Sequence, residues 1–168
     1  MGNFISFPIL FIAAVLQATF VPQIRLLGGG PDFVFLIILS WSINSRLEES
    51  IVWAFVGGIM IDLLSAAPTG ASVLGTLLII FAISGIGQQV YSIGLVLLAG
   101  SVVFGTVIKY LALFLVLSLA GYHIDWLVAS VYIIAPTILY NVILIWPIYW
   151  FMRRVQRRVN RPEAEFSG

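Results

Sequence analysis

GGIMIDLLSAAPTG, residues 57–70, decides how the rest of the chain is read. It is a run of small and apolar residues with one carboxylate, Asp62, near its middle. A lone charge at bilayer depth costs roughly 2.5–3.5 kcal/mol by insertion measurements. Either this stretch lies outside lipid or something in the protein answers the charge. Composition decides between the two. Of 168 residues, 61% are hydrophobic and only 9% are charged, whereas a soluble domain carries about 25% charged residues. The chain is an integral membrane protein, and Asp62 needs a partner. With no cysteine, disulfides and thiolate metal sites are excluded.

Working outward from residues 57–70, apolar runs suggest six helices, at about residues 4–21, 31–44, 46–65, 71–88, 93–120 and 125–151. A span needs ~20 apolar residues to cross ~30 Å of hydrocarbon. The second run is shorter, ~21 Å at 1.5 Å per residue, so it is expected to lie buried among its neighbours. Ser45 and Glu48 have capping-box spacing, residues 67–70 read as a type I turn, and Pro136 is expected to kink the last helix or split off a short segment. The opening residues lack a basic region, and no small-residue cleavage site follows residues 7–20, so the first run is read as a retained span. The loops are too short to bury a core. The expected architecture is therefore an all-α compact bundle of six transmembrane helices, with five as the alternative. It comprises one membrane domain over residues 1–152 and a basic cytoplasmic tail over 153–168.

Orientation follows from arginine. Net charge is only +1, but Arg153, Arg154, Arg157, Arg158 and Arg161 cluster at the end of the chain, which the positive-inside rule places in the cytoplasm. Six spans then put the amino terminus inside too; five would reverse it. Each of these arginines contributes ~1 kcal/mol of attraction to anionic lipid, which accounts for them without nucleic acid.

Polar residues within the apolar runs carry the remaining signal. Ala54, Gly58, Asp62 and Ser65 share a face of the third helix, and Ser101, Gly105, Lys109 and Ala112 share one on the fifth. Small residues let helix backbones approach closely in membranes. Asp62 lies sixteen residues beyond Arg46, and Lys109 sixteen beyond Ile93, which places both ~24 Å along their helices. Asp62, Lys109 and Asn141 are therefore the candidate intramembrane polar cluster, with Asp62 and Lys109 expected to form an ion pair or to share a polar partner. Two other readings stand beside it: the charges snorkel to an interface, or they serve a transported proton or ion. His123 and Asp125 read as a solvated loop, since one histidine and one carboxylate fall short of a zinc site. Trp41, Trp53, Trp126, Trp146 and Trp150 fall near expected helix ends as an aromatic belt. Ala14 and Ala18 make a small-residue face on the first helix, a possible partner interface. There is no catalytic constellation, and the glycines at 28–30 lack the lysine and spacing of a phosphate loop.

Residues 16–41, LQATFVPQIRLLGGGPDFVFLIILSW, together with the D-L-L-S…P-x-G pattern of the opening stretch, resemble the rod shape-determining protein MreD family. The matched positions are Gln17, Thr19, Pro31, Asp32, Gly57, Gly58, Asp62, Leu63, Leu64 and Gly70; Lys109 lies outside them. The resemblance implies a non-enzymatic scaffold or regulatory subunit of the bacterial cell-elongation and peptidoglycan-synthesis machinery, without cofactor, in the inner membrane. Its implied partner is MreC, a single-span protein, and through it RodA, a class B penicillin-binding protein and MreB. The family is similar in helix architecture to the substrate-binding subunits of energy-coupling-factor transporters, which dock through an A-x-x-x-A face like that of Ala14 and Ala18. The alternative function is a small-solute-binding subunit of a transporter, with an outward-open pocket at Trp41, Asn44, Asp62 and Lys109.

Overall fold

The computed structural model describes residues 2–65, 70–87, 95–123 and 125–159. Within them lie α1 (Gly2–Thr19), a 3-10 turn (Val21–Gln23), α2 (Phe33–Ser42), α3 (Leu47–Leu64), α4 (Ala71–Gly87), α5 (Leu95–Leu119), α6 (Trp126–Ala129), a π-helical turn (Ser130–Ile134) and α7 (Ala135–Val159). The last three run on as one rod of 34 residues, so the described residues form six helical rods, as expected. Three stretches are long and apolar enough to cross a membrane: Ile5–Gln23, Val96–Leu119 and Trp126–Val159. The expected residues 67–69 of the type I turn, the ends of two helices at Gln88 and Ile93, and Arg161 lie outside the described residues.

α2 is the axle of the bundle. It has only 10 residues, about 15 Å at 1.5 Å per residue, half the hydrocarbon thickness. Val34, Phe35, Leu36, Ile38, Leu39 and Trp41 are all buried, which is the all-round apolarity of a helix surrounded by others. One side joins α1, α3 and Met152 of α7 in a core with Leu10, Ala13 and Ala54; the other joins α4, α5 and α7 through Ile79, Val102 and Ile145. Small residues set the spacing, as the stripes on α3 and α5 suggested. A Cβ added at Gly58 would stand 2.7 Å from the Cα of Val73 on α4, and one at Gly105 would stand 2.8 Å from the Phe35 ring.

Several expectations need correction. Trp41 and Trp53 are not part of an interfacial belt: both are fully buried and their rings stack at 4.1 Å. The short connection between α2 and α3 folds one helix back on the other, so side chains near the two facing ends meet inside the protein. Trp126, Trp146 and Trp150 do face outward. The capping box at Ser45 and Glu48 does not form. α3 begins at Leu47 with Arg46 as its cap residue, and the Ser45 hydroxyl lies 3.0 Å from that of Ser50 instead. Glu48 and Glu49 still favour this end through the helix dipole.

The disturbance expected at Pro136 takes the form of a π turn, Ser130–Ile134, that sets the four-residue α6 apart from α7. A proline ring collides with the carbonyl four residues earlier, here that of Tyr132. The turn before it widens to i→i+5 bonding, with Ala135 N–H reaching the Ser130 carbonyl. Helix then continues to Val159, past the expected end of the membrane unit at residue 152. Gln156 is buried there, and its Nε2 donates to the Trp41 carbonyl at 2.9 Å.

Candidate functional site

Because α2 is so short, the chain between α1 and α2 must dip into the protein to reach its start. Irregular backbone at membrane depth is tolerated only where protein covers it, and Gly29, Gly30, Pro31 and Asp32 are all buried. The descent begins with a tight turn in which Leu26 and Gly29 exchange N–H···O bonds of 2.9 Å. Its two central residues, Leu27 and Gly28, are left-handed, at φ 57° and 131°.

Asp32 caps α2 from this position: its Oδ1 accepts from Phe35 N–H at 3.2 Å. The same oxygen accepts from the Gln17 amide at 3.0 Å, while Gln17 Oε1 takes the Val34 N–H at 3.0 Å. One glutamine on α1 thus answers both the cap and an orphan donor of the first turn. The Asp32 N–H donates to Asn141 Oδ1 at 3.0 Å, and Asn141 Nδ2 donates to the Thr106 hydroxyl at 3.1 Å. Asp32 Oδ2 receives the Lys109 ammonium in a salt bridge, and Lys109 also lies 5.5 Å from the centre of the Phe35 ring. Asp32 is 3% exposed and Lys109 6%. The re-entrant loop, α1, α2, α5 and α7 meet in this one network, and a fully connected buried network fixes a unique arrangement.

Lys109 and Asn141 were expected together, and they share this cluster. Asp62 was expected as the partner of Lys109, and that assignment is corrected: the partner is Asp32. Matching Asp62 and Lys109 by depth presumed that every loop stays at the interface, whereas residues 29–32 enter the bundle and reach the ammonium first. Asp62 is buried too, at 3% exposure, but grips the start of α4: its Oδ2 accepts from Gly70 N–H at 2.6 Å and its Oδ1 from Ser72 N–H at 3.1 Å. A carboxylate on two free N–H groups of a helix start answers both orphan donors and dipole. Replacing Asp62 by alanine should therefore lower stability by about 2 kcal/mol, the upper range for a lost cap, read as an earlier midpoint in denaturant unfolding of the detergent-solubilised protein.

The pocket expected at Trp41, Asn44, Asp62 and Lys109 does not form. Trp41 is stacked in the core, and Asn44 Nδ2 donates to the Tyr149 hydroxyl at 3.3 Å. Nor do Ala14 and Ala18 present one open face: Ala14 is 1% exposed, packed in the core, and only Ala18 is exposed. α1 turns that face toward the rest of the bundle and presents Phe7, Phe11 and Ile12 outward. His123 is exposed, and Asp125 caps α6 through Leu127 and Val128 N–H. Arg153, Arg154, Arg157 and Arg158 are exposed along α7, with Arg154 over the Trp150 ring at 5.4 Å. Among the described residues, no group of three His, Asp or Glu side chains could hold a metal ion.

A family model for the rod shape-determining protein MreD matches residues 1–159. The chain belongs to the MreD family. No curated protein and no solved structure gave a match. The MreD family match and the three long apolar helices make this a multi-pass membrane protein involved in determining rod shape. The positions carrying the resemblance to MreD now have physical roles. Gln17, Pro31 and Asp32 build the re-entrant cap, and Gly57 admits Ile38, Val34 and Leu10, each within 3.3 Å of a Cβ placed there. Gly58 admits α4, and Asp62 with Gly70 fastens α3 to α4. Thr19 bonds back to the Val15 carbonyl at 2.7 Å, while Leu63 and Leu64 face outward. Lys109, which the motif pattern left out, completes the cluster with Asp32. Its lone position as the chain's one lysine was the available signal.

Proposed function

We propose that this protein is a non-enzymatic scaffold and regulatory subunit of the bacterial cell-elongation machinery. It sits in the inner membrane and binds MreC, acting through MreC with RodA, its class B penicillin-binding protein and the MreB filament. Membership of the MreD family is the observation that carries the reading. The interior is consistent with it. Asp32 and Lys109 neutralise each other, and Asp62 is engaged with backbone donors, so the buried charges serve to hold helices in register. The carboxyl end lies in the cytoplasm, where Arg153, Arg154, Arg157, Arg158 and Arg161 meet anionic lipid, and with six rods the amino end lies there too. No cofactor, metal or nucleic acid enters the proposal.

The test is purification of the tagged full chain in mild detergent from cells expressing MreC at native level. MreC should remain attached in a fixed ratio, and its loss under conditions that keep the protein folded counts against the scaffold. Because the chain has no cysteine, single replacements can report sidedness without background. His123→Cys should react with a membrane-impermeant maleimide in intact spheroplasts, and Arg158→Cys only after lysis.

A further inference from the structure

The buried ion pair forms the floor of a cavity of about 470 Å³, within the size range of small-ligand sites. Its polar wall holds Arg25, Asp32, Lys109 and Tyr110, and its apolar wall includes Leu64 and Leu113. Among the charged lining residues, two are cations and one is a carboxylate. Asp32 takes one donor of Lys109, whose ammonium carries three. Arg25 is exposed at the cavity and forms no ion pair among the described residues. The cavity therefore has a surplus positive charge, a forked guanidinium suited to an anion, remaining N–H groups on Lys109, and an apolar side.

We propose that this cavity binds the phosphate group of an anionic amphiphile, with Arg25 as its principal contact and Lys109 as the second. Asp32 holds the Lys109 ammonium in place, and the apolar wall takes the first carbons of the tail. Arg25 lies on the re-entrant loop, in the segment that carries Asp32 and Gly29, so an occupied cavity links the α1–α2 connection to α5. This assignment goes beyond the scaffold reading and does not depend on it, since binding is measured on the isolated full chain and the scaffold is judged by retention of MreC.

The experiment is native mass spectrometry and calorimetric titration of the full chain in a non-ionic detergent, using short-chain phosphatidylglycerol, phosphatidylcholine and inorganic phosphate as probes. One phosphatidylglycerol per chain should bind saturably, and phosphatidylcholine at least tenfold more weakly. Arg25→Gln, at an exposed position, should weaken phosphatidylglycerol at least tenfold with an unchanged unfolding midpoint. Ala18 of α1 also lines the cavity; Ala18→Leu, which narrows it without altering charge, should weaken binding comparably, whereas Arg157→Gln with Arg158→Gln should leave it unchanged. Displacement by millimolar inorganic phosphate supports the site and makes the phosphate group sufficient; absence of displacement supports it with a lipid as the required source. Equal binding of phosphatidylcholine, or undiminished binding by either Arg25→Gln or Ala18→Leu, overturns it.

Discussion

Asp32→Asn and Lys109→Met are each expected to destabilise the protein by about 3–5 kcal/mol, the cost of stranding one member of a buried ion pair. In the first variant the ammonium keeps only the Phe35 ring and an uncharged amide. In the second, Asp32 Oδ2 loses its cation while Oδ1 retains Gln17 and Phe35 N–H. The double variant should cost clearly less than the two added together, because neither charge is then left alone. Exchanging the charges, Asp32→Lys with Lys109→Asp, should not rescue. Residue 32 also caps α2, and a cation there opposes the helix dipole and cannot accept the Phe35 N–H. Asp62→Asn with Lys109→Met should be additive, since Asp62 is held by Gly70 and Ser72. A denaturant series on these five variants and on Asp62→Asn alone decides it; strong coupling between positions 62 and 109, with none between 32 and 109, would refute the assignment.

How much of this was legible beforehand depended on whether a residue's partner was local. The shortness of the second apolar run was enough to bury α2, because a rod of half the membrane thickness has no other way to satisfy its surroundings. The small stripes on α3 and α5 foretold close approach for the same geometrical reason, and Gly58 against Val73 is its outcome. Lys109 and Asn141 stood out because a polar atom in an apolar run must find a partner. Which partner was another matter: Asp32 stood in the first turn of the second apolar run, just after what looked like an ordinary surface loop, and nothing in linear spacing says that a loop turns inward. The carboxylate of Asp62, at comparable depth along its own helix, was the nearer candidate on paper.

Trp41, Trp53 and Ala14 were misplaced for a related reason. Position near the end of a helix says how deep a side chain lies but not which way it points. Trp41 points at Trp53 because the two helices fold back on each other, and Ala14 points at the core that α2 fills. Pro136 was legible as a disturbance, yet its linear context does not say that it resolves as a π turn, nor that the loop of Gly28 and Gly29 packs on the Tyr132 and Ile133 carbonyls.

Gly29→Ala is expected to show how tight that packing is. A Cβ at residue 29 would lie 2.3 Å from the Ile133 carbonyl oxygen, 2.8 Å from the Thr137 hydroxyl and 3.0 Å from the Thr137 nitrogen. Two of these are backbone atoms of the rod, and the Ile133 carbonyl is further held by the Thr137 hydroxyl at 2.7 Å. The loop must therefore rise, carrying Asp32 away from Lys109 and Asn141. Overpacking typically costs 1–3 kcal/mol, and with the displaced cap the effect should fall at about 3 kcal/mol. Thr137→Ala should not restore stability, because the collision with the Ile133 oxygen persists. Gly100→Ala is the matched control: a Cβ there meets nothing within 4 Å, so α5 should gain up to about 1 kcal/mol from the better helix former. Unfolding midpoints of the three variants in one detergent test the argument. Tolerance of Gly29→Ala equal to that of Gly100→Ala would mean that the loop does not sit against the π turn, and the support of Asp32 would have to come from Gln17, Asn141 and Lys109 without it.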